Sequence, residues 1–177
     1  MAPRARASGG MTSRLDPIRW LGLPALLCAL ASLLLAMPIR VLGLQLPEPV
    51  FAMAPAFAWA VIRPSILPPF VLLALGAFLD ILWGAPVGLW PLVLLTLYAP
   101  VLAARPFLIG QDFAVLWGWY VAACALAFGT GYAIVAARYG VAPNLVGLGW
   151  QFLATAALFP LSWRLIERYE DADVRFR

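Results

Sequence analysis

Polar residues are so sparse along this chain that they mark the limits of its apolar runs. Six runs stand out: Trp20–Met37, Val50–Ile62, Ile66–Trp83, Val87–Ala104, Phe113–Ala137 and Leu145–Trp163. Crossing a bilayer core as a helix takes about 20 residues at 1.5 Å each, and most of these runs come close to that length. Val50–Ile62 is the short one, with Pro55 inside it and Pro47 and Pro49 before it. It spans only roughly 20 Å as a helix and reads either as a re-entrant segment or as a short crossing that relies on its neighbours or on local bilayer thinning.

Arginine placement chooses between the two. With the N-terminus inside and all six runs crossing, ten arginines fall on the inner side, and only Arg40 and Arg138 lie outside. If Val50–Ile62 turns back, five fall inside and seven outside. Basic residues beside spans are retained on the cytoplasmic side, so the six-crossing arrangement is expected, with both termini in the cytoplasm. Residues 1–19 form a basic tail, residues 20–163 the transmembrane domain and residues 164–177 a second cytoplasmic tail. The last helix is expected to continue for a turn or two into that second tail and then fray. The run Trp20–Met37 is long for a signal core and "LLLAMPIR" offers no small-residue cleavage site, so it reads as an uncleaved first helix.

Composition sharpens the class. The chain is 64% hydrophobic and 11% charged, with a mean hydropathy of +0.93. An integral membrane protein follows, built as an all-α bundle. The pI of 9.6 comes from arginines beside apolar runs, which topology explains without nucleic acid. Histidine is absent, and Cys28 and Cys124 sit in mid-run, where small apolar packing is their ordinary use. No metal site, cofactor site or nucleophile–base pair can be assembled, so no catalytic role is expected.

One carboxylate breaks the pattern. In "LGAFLDILWGAPVGLWPL" Asp80 stands alone, with Arg63 the nearest charge before it and Arg105 the nearest after. Gly76, Asp80 and Gly84 are four apart and share a helix face, a pattern that permits close helix approach and offers a hydrogen-bonding group. Three uses of Asp80 are open: pinning a pair of helices, contacting a partner protein, or relaying protons or ions. A relay needs a series of polar groups, and Ser32, Thr96, Thr130, Gln151, Thr155 and Ser162 make a thin one. Arg40 and Arg138 are the natural ion-pair partners on the outer side. Pro86 and Gly88 shape a tight outer turn after Trp83. Trp59, with Arg63 and Pro64, closes the second run at the inner surface.

The stretch from Trp59 to Pro106 resembles the bacterial rod-shape-determining protein MreD. The likeness rests on "W…RP" ending the second run, on Gly76, Asp80, Gly84 and Gly88 in "LGAFLDILWGAPVG", and on the aliphatic run holding Tyr98. The ending "ATAALFPLSWRLIERYE" is similar to that family's last helix. The resemblance implies a non-enzymatic inner-membrane component of the cell-elongation machinery, supporting peptidoglycan synthesis and cell shape. The implied partners are MreC, RodA, penicillin-binding protein 2 and MreB filaments. It also implies a fold similar to the six-helix substrate-binding subunits of energy-coupling-factor transporters. A vitamin-binding transport subunit is therefore the rival expectation. Such a subunit needs convergent outward-facing polar groups. Here the outer loops supply only Arg40, Gln45, Glu48, Arg138 and Asn144.

Overall fold

The computed structural model describes residues 18–36, 48–62, 65–140 and 144–174, and these are all-helical, with no strand among them. A single π-helical turn, Ile18–Gly22, leads into α1 (Leu23–Ala36). There follow α2 (Met53–Ile62), α3 (Leu67–Trp83), α4 (Leu89–Leu108), α5 (Phe113–Tyr139), α6 (Leu145–Ala156) and α7 (Phe159–Val174). Three stretches are long and apolar enough to cross a membrane: Leu89–Leu108, Phe113–Tyr139 and Leu145–Glu167. Apolar helices at Trp20–Leu35, Met53–Ile62 and Leu67–Trp83 are shorter. Apolar side chains also cover the outside, with Leu26, Leu34, Phe70, Ile81, Val87 and Trp150 all exposed. A bundle that is apolar on both faces is at home in lipid.

The short second run becomes the centre of the bundle. Every residue of α2 from Met53 to Val61 is buried, and the helix packs against α4 and α7 with a lighter contact on α3. Its alanines (Ala54, Ala56, Ala58 and Ala60) keep the helix thin, while Phe57 and Trp59 fill the space to either side. Phe57 meets Tyr120 edge-on at 5.4 Å and Phe159 at 6.1 Å. The Trp59 indole N–H donates to the Trp20 carbonyl at 3.1 Å, fixing the start of the first helix. Pro55 falls in the first turn, where its missing N–H costs no ladder bond.

A helix this short, surrounded by protein, still has two ends to satisfy. At the N-terminal end the Val50 N–H donates to the Thr155 hydroxyl at 3.0 Å, and the Ser162 hydroxyl donates to the Ala54 carbonyl at 3.0 Å. At the C-terminal end Arg105 donates through Nε to the Val61 carbonyl at 2.8 Å and through Nη2 to the Ile62 carbonyl at 3.1 Å. A cation on the last carbonyls of a helix also suits the helix dipole. The expectation that α4 stops at Ala104 is corrected here: the helix runs on to Leu108 and so brings Arg105 back against α2. Arg105→Met is expected to lower stability by about 1–2 kcal/mol, since two part-buried carbonyls lose charge-assisted donors. Arg105→Lys, with one donor point in place of a fork, should recover about half of that in the same thermal-unfolding assay.

The last apolar run is two helices, not one. The ladder breaks at Ala157–Leu158 between α6 and α7. Pro160 has no N–H for the Ala156 carbonyl four residues back. The Trp117 indole N–H supplies a donor there at 3.5 Å, and the Tyr120 hydroxyl donates to the Thr155 carbonyl at 3.0 Å. Neighbouring side chains thus cover the groups freed by the break, as a low-dielectric setting demands. Beyond it α7 runs without interruption to Val174, so the helix continues well past Trp163.

Candidate functional site: the hairpin between α3 and α4

Asp80 is 4% exposed and lies in the last turn of α3. Its carboxylate accepts the Gly88 N–H at 2.6 Å on one oxygen and the Trp90 N–H at 2.9 Å on the other. Gly88 is the N-cap of α4 and Trp90 its second helical residue. These are the donors that an N-cap side chain and a capping box normally satisfy from within the helix. Here one carboxylate from the preceding helix takes both, and its negative charge sits at the positive end of the α4 dipole. The Asp80 carbonyl closes the other side of the turn by accepting from Gly84 and from Ala85, the latter at 2.9 Å. One residue therefore ends α3 and starts α4.

The glycines play unequal parts. A Cβ on Gly76 would lie 2.4 Å from the Pro91 nitrogen and 2.5 Å from its Cα, so the two helix backbones meet there. Pro91 fits that contact because it occupies the first turn of α4, where no N–H is needed. Gly84 does not mediate helix approach, contrary to its place on the shared face. No atom lies within 4 Å of where its Cβ would be, and with φ +61° it is the left-handed cap that terminates α3. Gly88, at φ +92°, has the same left-handed requirement at the other end of the turn. Pro86 accepts the Leu89 N–H at 3.0 Å, and Trp83 packs edge-on against Trp90 at 4.7 Å. The whole hairpin is α3's densest contact with the rest of the bundle.

The ion pair expected between Asp80 and Arg138 is not formed. Both Asp80 oxygens are taken by backbone N–H groups, and among the described residues no arginine pairs with them. Arg138 lies exposed in the last turn of α5. Arg40 and Arg63 lie outside the described residues. Trp59 is far from the hairpin in role, holding α1 to α2 as described above. Among the described residues no group of three metal-ligating side chains comes together. Cys28 and Cys124 are free and buried, Cys28 donating weakly to the Phe51 carbonyl at 3.4 Å.

No family model, curated protein or solved structure matches the chain. The hairpin's meaning rests on its own geometry. That geometry gives each oxygen of Asp80 a backbone N–H from its own hairpin, and it makes a tight turn whose tip, Val87, is 96% exposed. An open groove of about 570 Å³ lies elsewhere, along α5, lined by apolar side chains and Thr130 and excluding Asp80. Sequence reasoning missed Arg105 as a clasp and Trp90 as the second donor to Asp80. A signal for the latter was present: an acid eight residues before a glycine that itself opens an apolar run.

Proposed function

We propose that the chain is a non-enzymatic scaffold of the bacterial inner membrane, of the kind its resemblance to MreD implies. It crosses the membrane six times with both termini in the cytoplasm, and it binds MreC beside the peptidoglycan-synthesising machinery of RodA, penicillin-binding protein 2 and MreB filaments. The observation that carries this reading is the use made of Asp80. A carboxylate whose two oxygens each accept a backbone N–H fixes a hairpin, and the contacts it makes are those of a structural clasp. Polar groups elsewhere in the bundle are spent in the same way, on the ends of α2 and on the break between α6 and α7. A rigid apolar surface for another membrane helix requires no more than this.

Purification from native membranes in mild detergent is expected to bring MreC with the protein, and depletion is expected to turn rods into round cells. Recovery of energy-coupling ATPases in place of MreC, with rod shape intact and vitamin uptake lost, would replace the scaffold reading with the transport subunit.

A further inference from the structure

We infer that two copies of this chain pair in the membrane through α6, with their Gln151 side chains bonded to each other across a two-fold axis. The pairing goes beyond the scaffold reading and depends only on Leu145–Glu167 crossing the membrane, for which that stretch is long and apolar enough. On α6 Thr155 and Ala156 are buried, Phe152 meets Phe128 of α5 edge-on at 5.9 Å, and the Thr155 hydroxyl takes the Val50 N–H. Gln151 stands half-buried at the edge of that packed face. Its backbone carbonyl accepts from the Thr155 hydroxyl at 2.7 Å, but its side-chain amide has no hydrogen-bond partner among the described residues. The half-buried Thr96 and Thr130 differ, since their hydroxyls donate to carbonyls of their own helices at 2.8 and 2.9 Å. The Gln151 amide lies roughly 9 Å from the start of the stretch, inside a hydrocarbon core about 30 Å thick. Water would satisfy such a group at a soluble surface. Lipid tails cannot, so the amide calls for a partner from outside the bundle.

Depth and chemistry select a second copy as that partner. A primary amide carries one carbonyl acceptor and two N–H donors, so two amides facing each other across a two-fold axis exchange two hydrogen bonds. Copies inserted in the same direction bring Gln151 to one depth without further design. A foreign helix would have to place a polar group at that level independently. Charge raises no objection, because Leu145–Ala156 holds neither acid nor base. Shape agrees as well. Gly147, one turn before Gln151 on the same flank, is exposed, and no atom lies within 4 Å of where its Cβ would be. Ala154, three residues after it, is half-buried. A small residue on either side of the glutamine lets two such helices approach closely enough for the amides to meet.

The test reads energy transfer between donor-labelled and acceptor-labelled copies of the full-length protein, in vesicles of phosphatidylethanolamine and phosphatidylglycerol at increasing lipid dilution. The native chain should self-associate, and Gln151→Leu should weaken association about tenfold. Gln151→Asn, which keeps an amide, should recover most of that loss. Gly147→Leu, which fills the flank, should weaken association by about as much as Gln151→Leu, and Leu30→Ala on α1 should change nothing. Equal melting temperatures of the variants establish that each is folded. In native membranes, oxidation should link Gly147→Cys into a dimer and leave Leu126→Cys on α5 monomeric, the native Cys28 and Cys124 being buried. Association unchanged by Gln151→Leu, or cross-linking through Leu126→Cys in place of Gly147→Cys, would overturn the inference. So would a chain that stays monomeric at every dilution, which would leave the amide to a helix of another protein. Each of these outcomes is independent of whether MreC is recovered, on which the scaffold reading turns.

Discussion

Asp80→Leu is expected to cost about 2–4 kcal/mol of stability, because it strips acceptors from two backbone N–H groups at the start of α4 and removes a charge that suits the helix dipole. Leucine branches as aspartate does but its methyls are bulkier than the oxygens they replace, so asparagine, the isostere, is the variant that isolates hydrogen bonding from packing. Asp80→Asn divides the effect: its amide oxygen can accept from Gly88 or from Trp90, but its NH₂ then faces the other N–H, donor against donor. About half the cost should remain. Asp80→Glu retains both acceptors on a longer stem in a site only 4% exposed, and it should fall beside Asn, between wild type and Leu. Thermal unfolding in detergent, read alongside cell shape on complementation, gives the order wild type, Asn or Glu, then Leu. Equal damage from Asn and Leu would instead mark the charge itself as the essential property.

Gly76→Ala is the second large effect. The added methyl would sit 2.4–2.8 Å from three atoms of Pro91, two of them backbone. No rotamer change can relieve such a contact, so α3 and α4 must separate, and separation pulls Asp80 away from Gly88 and Trp90. Overpacking ordinarily costs about 1–3 kcal/mol, and the coupled loss of the cap puts this substitution at the upper end. The same change at Gly118 or Gly147, where no atom lies within 4 Å, should stay within about 0.5 kcal/mol of zero or stabilise slightly through helix propensity. Comparing the three alanine variants by melting temperature separates a close approach from a general intolerance of side chains. Combining Gly76→Ala with Asp80→Leu should cost less than the sum of the two, since both open one contact.

Hydrophobic runs gave away the helices because a chain with so few charges has little else to pattern it. Their boundaries held within a few residues for α3 and α5, where glycine or a turn ends the run. They failed for α4, whose ladder passes through Arg105 and Pro106, since an arginine that finds buried carbonyls can stay inside a helix. Pro160 alone can signal the break before Phe159, but not the indole and hydroxyl that make it tolerable, because those come from α5. The role of Asp80 was half legible. Its isolation and its four-residue spacing from Gly76 pointed to a packed helix face. Its actual partners are N–H groups, which every residue but proline owns and no sequence pattern singles out. Arg138, suggested by charge alone, does not pair with Asp80 for that reason.

Amide hydrogen exchange at Gly88 and Trp90, in protein reconstituted into lipid nanodiscs, tests the internal use of Asp80 most directly. Both amides should exchange orders of magnitude more slowly than that of the exposed turn residue Val87, and the protection should vanish in Asp80→Leu. Rapid exchange at both positions in the native protein, or protection that survives Asp80→Leu, would mean that the carboxylate is free for another task.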